Sequence, residues 1–373
     1  MHYFIFADKD TTLYQASSSM NTGLDEVLEI RKDVSDTGAT VEVSRILIRF
    51  DLTQVSQSIV DGKVPSPSSW GSSFFLNLYD ANSQNLATTQ SIYAHPVSRS
   101  WDIGEGASYD NPINQEGASW NFRYGKTDGS LWTEVSSSGG AWYSSSRYEA
   151  SQSFGHKTKD MRMDVTDIVN HWLSGSISNE GFILKRSGSV GNLNSGSDEG
   201  NSTRFGNFSF FSSDTHTKYP PTLEVMWDDA KWNTGSLQPI TGSDFEDMVM
   251  YMKGLRPEYK EKSKVKFRLV GRERYPIKTY ASTPSNLTVK YLPSGSSYYS
   301  IVDAETDDVI VPFGSGSKLS CDSSGNYFNV WLDGYQPERY YKIEYRVRSG
   351  SGTVDEIDQY FDEGFTFKIN KQE

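Results

Sequence analysis

Five histidines, His2, His95, His156, His171 and His216, are the first residues to weigh for chemistry, and no two stand at a spacing that metal ligation or a catalytic triad requires. His171 falls beside Trp172 on a helical pattern, where a partly buried structural imidazole outweighs a general base. No G-x-S-x-G, H-E-x-x-H or phosphate-loop pattern occurs, so hydrolase chemistry has no visible nucleophile. A glycosidase can use two carboxylates far apart in sequence, but with 48 Asp and Glu nothing selects a pair. Cys321 is the only cysteine, which excludes a disulfide framework and a cysteine zinc cluster. The expectation is a non-enzymatic chain that needs no cofactor.

Three other patterns suit binding better than catalysis. Asp303-Ala-Glu-Thr-Asp-Asp308 alternates oxygen ligands as a calcium loop does, yet it lacks glycine at the sixth position and has Gly314 at the twelfth, where a bidentate Glu belongs. A hairpin turn explains it better. Residues 96–160 are rich in Ser, Gly and Trp, and a disordered segment does not usually carry Trp101, Trp120, Trp132 and Trp142, so long ordered loops are expected. Tyr109, Trp120, Trp132, Trp142 and Tyr143 are the candidate contact residues there. Their rings suit stacking on pyranoses; as loop cores or subunit contacts they would play the commoner role of Trp and Tyr.

The sharpest electrostatic feature is Lys260-Glu-Lys262-Ser-Lys264-Val-Lys266-Phe-Arg268. Period-two alternation sends Lys264, Lys266 and Arg268 to one side of a strand and Val265 and Phe267 to the other, forming with Lys260 and Lys262 a basic ribbon. It reads either as an edge protected from stray pairing or as a docking ribbon for an acidic partner. Nucleic acid is disfavoured, because no aromatic stacking platform interleaves these cations on the same face of the strand.

These residues need elements to hold them. The 373-residue length exceeds the size at which one core stops growing, and 13% aromatic content with many Val, Ile, Tyr and Phe runs argues for an all-β protein in two domains. Strands are expected at 3–6, 11–15, 27–31, 41–51, 74–79, 181–185, 205–211 and 222–227, and seven more between 265 and 369, the number of an immunoglobulin-like sandwich. Two short helices are expected, one capped by Asp164 with Ile168, Val169, Trp172 and Leu173 on its apolar stripe, the other opening at Ser243 with Phe245, Met248, Val249 and Met252. The proposed boundaries are 1–228 for the first sandwich, 229–262 for a linker with a short helix, and 263–373 for the second sandwich. Tyr340 is the candidate for a tyrosine corner, its hydroxyl bonded to upstream backbone.

The formal charge of −12 is uneven. Residues 1–230 hold 17 Lys and Arg against 28 Asp and Glu, while residues 231–373 hold 19 against 20. An acidic sheet domain is a poor counter-ion for phosphate backbones. No membrane span is visible, and the apolar run at the N-terminus is too short for a secretion signal, so a reducing cytoplasm is the expected place of synthesis.

Several segments carry resemblances. Ser44-Arg-Ile-Leu-Ile-Arg-Phe-Asp51, with Phe6-Ala-Asp8, Phe74-Phe-Leu-Asn-Leu-Tyr79, Asp164-Val-Thr-Asp-Ile-Val-Asn-His-Trp172, Gly181-Phe-Ile-Leu184 and Pro220-Pro-Thr-Leu-Glu-Val225, resembles the DNRLRE family of β-sandwich modules, also described as carbohydrate-binding, over residues 4–228. The second half, through Phe267-Arg-Leu-Val-Gly-Arg-Glu-Arg-Tyr-Pro276, Tyr298-Tyr-Ser-Ile-Val-Asp303, Val309-Ile-Val-Pro-Phe313 and Asn326-Tyr-Phe-Asn329, is similar to structural proteins of large tailed bacteriophages. Together they imply a jelly-roll-like sandwich followed by an immunoglobulin-like one, in a bacteriophage virion structural protein of the neck, tail or capsid exterior. Its partners would be other virion proteins and copies of itself, arranged by the symmetry of the particle. The alternative is a carbohydrate-binding adhesin module that attaches to cell-surface glycans.

Overall fold

Apolar alternation becomes strand almost everywhere in a computed structural model of the chain, which describes residues 1–35, 41–69, 71–133, 139–156, 158–188, 197–240, 248–275, 280, 289–349 and 357–371. The fold is all-β, with two short α-helices among the described residues. The chain divides into two compact units, Ile5–Val225 and a second made of Met1–Phe4 with Met226–Glu373.

The first unit takes in, from Ile5 onward, β1 (His2–Tyr14), one long strand with a bulge between Ala7 and Lys9, where the sequence suggested two. It is followed by β2 (Val27–Val34), β3 (Val41–Phe50), β4 (Ser73–Leu78), β5 (Gln90–Pro96), β6 (Ala150–Phe154), β7 (Met161–Asp164), β8 (Phe182–Lys185), β9 (Gly206–Phe211) and β10 (Thr222–Met226). Their order is β6-β5-β8-β3-β1-β10-β4-β7, with β2 on β3 and β9 on β2. β3 is the hub. Its start pairs with β2, and its remainder lies between β1 and β8.

Both faces of β3 are covered. Ile46, Ile48 and Phe50 are fully buried, and Phe50 meets Phe182 edge-on at 6.3 Å. On the opposite face Leu47 joins Leu13, Val43 and Ile183 in a second core completed by Trp101, Trp120, Trp132 and Trp142. The long loops between β5 and β6 therefore fold back over the sheet, because only large apolar rings supply enough surface to cover it without further strands.

The helices are α1 (Thr53–Val60) and α2 (Thr166–Leu173). α2 lies where the Asp164 pattern placed it and buries Ile168, Val169 and Trp172. α1 was not anticipated, since only Val55 and Ser58 are buried and no apolar stripe marks it. Both follow the same local device: Asp51 Oδ1 accepts from the amide and hydroxyl of Thr53 at 2.9 and 2.6 Å, and Asp164 Oδ1 does so from Thr166 at 3.0 and 2.6 Å. An Asp-x-Thr at the end of a strand is thus the signal that reveals both helices.

The second unit is a two-sheet sandwich. One sheet contains β11 (Gln238–Pro239), β12 (Met248–Met252), β14 (Lys264–Glu273), β15 (Lys290–Tyr291), β18 (Ser320–Asp322) and β19 (Gly325–Trp331). The other contains β13 (Glu258–Lys260), β16 (Ser297–Asp303), β17 (Val309–Val311), β20 (Tyr340–Ser349) and β21 (Ile357–Asn370). The run β12, β14, β19, β18 faces β17, β16, β20, β21, as the two sheets of an immunoglobulin-like domain do. Tyr299 stacks on Phe328 at 4.1 Å in an aromatic core shared with Phe267, Tyr345 and Phe367.

Two expectations are corrected here. The stretch 229–262 is part of this sandwich and supplies β11, β12 and β13, and Met248–Met252, expected as helix, pairs with β14 from Met248↔Glu273 to Met252↔Leu269. Met248 and Met250 are buried while Tyr251 is exposed, so period two prevails over a helical stripe of three residues. Residues 241–247, with the Ser243 cap and Phe245, lie outside the described residues. The tyrosine corner is one residue further on than expected: Tyr341, 2% exposed, donates to the Gln336 carbonyl at 2.9 Å, whereas Tyr340 is 49% exposed. Tyr341 is in phase with inward-facing Ile343, Tyr345 and Val347; Tyr340 is not.

Candidate functional site

Charged and aromatic groups gather in each unit, and one such place in each bears on the candidate residues. In the first, Arg45 of β3 points into the loop-covered core and is held by Glu199, with Nε–Oε1 at 3.1 Å and Nη2–Oε2 at 2.8 Å. Its guanidinium lies 4.7 Å from the Trp120 ring and 5.0 Å from the Trp142 ring, and donates to the Gly139 carbonyl at 2.6 Å. Lys185 of β8 approaches Glu199 Oε2 at 3.5 Å and sits 5.1 Å from Trp142. Burial lowers its pKa to about 8, partly offset by Glu199. Arg45, Lys185 and Glu199 are each 1% exposed or less, so the trio is a buried ionic clip between strand and loop.

Beside this clip a pocket of about 610 Å³ opens between β5, β8 and the loop before β6. His95 stacks on Trp142 with ring centroids 6.1 Å apart, and its Nδ1 lies 3.1 Å from the Tyr148 carbonyl. A carbonyl only accepts, so Nδ1 carries the proton and the neutral ring offers Nε2 as an acceptor. Burial, reinforced by the Lys185 charge, lowers the His95 pKa from 6.5 to about 4. Glu149 Oε2 stands 4.0 Å from Nε2.

The five loop aromatics separate. Trp120, Trp132 and Trp142 are core residues, and Trp132 is 1% exposed with its Nε1 donating to the Ser119 carbonyl at 2.8 Å. Their faces are therefore not open to stack on a sugar, which corrects that expectation for these three. Tyr143 is half-buried against Tyr148. Tyr109 alone among the five is exposed, at 83%.

In the second unit the basic ribbon is shorter than the sequence suggested. Lys260 lies on β13, in the other sheet, and Lys262 occupies a left-handed turn with φ of 59°. Lys264, Lys266 and Arg268 do share one face of β14, paired with β19 as Lys264↔Trp331, Lys266↔Asn329 and Arg268↔Tyr327. β19 thus brings aromatic rings to the cations. Lys266 Nζ lies 3.6 Å from the Tyr327 ring centre, and Lys264 Nζ lies 5.0 Å from that of Trp331.

Asp322 of β18 neutralises part of this charge. Arg268 binds it through two nitrogens at 2.9 and 2.8 Å, and Lys266 donates at 2.9 Å, which together hold the Asp322 carboxyl far below its ordinary range. The Asp303–Asp308 segment is the turn between β16 and β17: Asp303 Oδ1 accepts from the amides of Glu305 and Thr306, and Arg339 binds its carboxylate at 2.7 and 3.0 Å. Those oxygens serve the turn.

Sequence reasoning did not single out Arg45, Lys185, Glu199 or Glu149, and it weighed His95 only as one of five unpaired histidines. The available signal for Arg45 was a cation directly before the apolar run Ile46-Leu47-Ile48 of β3, since such a residue needs a partner when both faces are buried.

No family model matches the chain, and no curated protein matches it. Among solved structures, a DUF4785-family protein from Legionella pneumophila shares 10% identity at a TM-score of 0.20, with 98% of this chain and 65% of that one covered. The chain therefore spans about 65% of the length of that protein. A likeness of that size bears on neither fold nor function.

Proposed function

We propose that this chain is a non-enzymatic bacteriophage virion structural protein of the neck, tail or capsid exterior, acting through protein–protein contacts with other virion proteins and copies of itself. The observation that carries the contact part of this reading is the cation–aromatic face of β14 and β19. Lys264 and Lys266 stay accessible there, Lys266 at 41%, while Asp322 and the rings hold the cations in one orientation. A face ordered before binding loses less side-chain entropy on docking, and its charge selects an acidic partner. The virion assignment rests on the sequence resemblance alone. Glycan attachment through the loop tryptophans is disfavoured because those rings are enclosed.

Sedimentation velocity of the full chain at low and high salt tests the contact reading. Wild type should self-associate at low salt and dissociate as salt screens the contact, and Lys264→Glu with Lys266→Gln should abolish association without unfolding the chain. Arg268 still pairs Asp322 in that variant. A wild type that stays monomeric at every concentration and salt, or a variant that associates as before, would refute it. The virion reading predicts that peptides of this chain co-purify with intact particles on a density gradient.

A further inference from the structure

Tyr109 has no part in the docking reading, although it stands exposed on a loop that the fold holds in place. Two loops of the first unit are tied to each other through their backbones: the Leu24 amide donates to the Gly106 carbonyl at 2.9 Å, and the Asn21 amide donates to the Asn114 carbonyl at 3.0 Å. Asn21 is fully buried between them. Its Nδ2 donates to the carbonyls of Ile103 and Ala118 at 2.7 and 2.9 Å, and its Oδ1 accepts from the Gly106 amide at 2.8 Å. The Ser108 amide, next to Tyr109, donates to Asp25 Oδ1 at 2.8 Å. These ties leave Leu24, Tyr109 and Ile113 in water, at 46%, 83% and 48% exposure.

Apolar side chains that an ordered backbone keeps at the surface mark a place of contact. The same loops carry an acidic rim, with Glu26, Glu105 and Glu116 exposed and Asp110 half-buried; Lys126, whose amide meets the Gln115 carbonyl, opposes them. The matching surface offers apolar area among cations. The β14–β19 face has that composition, because Tyr327 and Trp331 are half-buried there and Lys264 and Lys266 stay accessible around them.

We infer that the β14–β19 face of one copy docks on the Leu24, Tyr109 and Ile113 patch of a second copy, with its lysines against the acidic rim. Two different surfaces make this contact, so it is heterologous. Each dimer keeps one free surface of either kind, and assembly continues into a ring or an open chain. The inference rests on the docking reading and names the surface that the docking face meets.

Sedimentation velocity of the full chain at low salt tests it. Wild type should form species larger than a dimer as concentration rises. Tyr109→Ser with Ile113→Ser, both at exposed positions, should raise the dissociation constant about tenfold or more while thermal unfolding stays unchanged. Mixed in equal amounts with the Lys264→Glu and Lys266→Gln variant, it should form a dimer and nothing larger, because each variant retains the surface that the other lacks. A patch variant that associates like wild type, a mixture that stays monomeric, or a wild type that stops at the dimer would overturn the inference and leave the docking reading standing. A wild type that is monomeric throughout would remove both. Cosedimentation with phosphatidylcholine vesicles, lost in the patch variant while its self-association persists, would overturn the inference by assigning the patch to a lipid surface.

Discussion

Replacing Glu199 by Gln removes one negative charge from a place that holds two cations and changes almost nothing in shape. Arg45, Lys185 and Glu199 are each 1% exposed or less, so water cannot take over as partner. Breaking a buried pair by removing one member costs about 3–5 kcal/mol. The amide oxygen of Gln retains one acceptor for Arg45, and Trp120 and Trp142 continue to face the guanidinium, which places the expected loss near the lower end, at about 3 kcal/mol. Tryptophan fluorescence during denaturant unfolding reports the change, because both rings lie within 5.0 Å of the lost charge pair. Hydrogen exchange at the Gly139 amide, which is bonded to the Trp120 carbonyl, separates a local opening of the loop from global unfolding in this two-unit chain. Combining Glu199→Gln with Arg45→Met completes a double-mutant cycle, with an expected coupling of about 1–3 kcal/mol. A cost for Glu199→Gln below about 1 kcal/mol, together with additivity in the cycle, would refute the clip.

Other outcomes follow from the same geometry. Tyr341→Phe should destabilise the second unit by about 1–3 kcal/mol, since it leaves the Gln336 carbonyl without its donor, whereas Tyr340→Phe should stay within about 0.5 kcal/mol; equal effects in thermal unfolding would remove the corner. His95 is held neutral by burial, with its pKa depressed to about 4, so the unfolded chain takes up this proton first as pH falls from 6.5. Stability is fully present above pH 6.5 and should decline by up to about 3 kcal/mol toward pH 4, a slope that His95→Gln should flatten; a parallel pH profile in the variant would show that His95 does not set it.

Local periodicity determined a great deal of this molecule. Alternation over five to ten residues marked most strands, the Asp164 pattern marked α2, and counting marked the uneven charge, because each is a property of neighbours in sequence. Where two periods competed, as in Met248–Met252, only pairing with β14 could decide. The same holds for the candidate sites. Arg45 meets Glu199 across 154 residues, His95 meets Trp142 and Lys185 through a loop and a separate strand, and the rings beside Lys264 and Lys266 come from β19 more than fifty residues away. The chain alone announces which residues must leave water; which residues then become neighbours depends on sheet order and loop folding, and those are set by the packing of the whole unit.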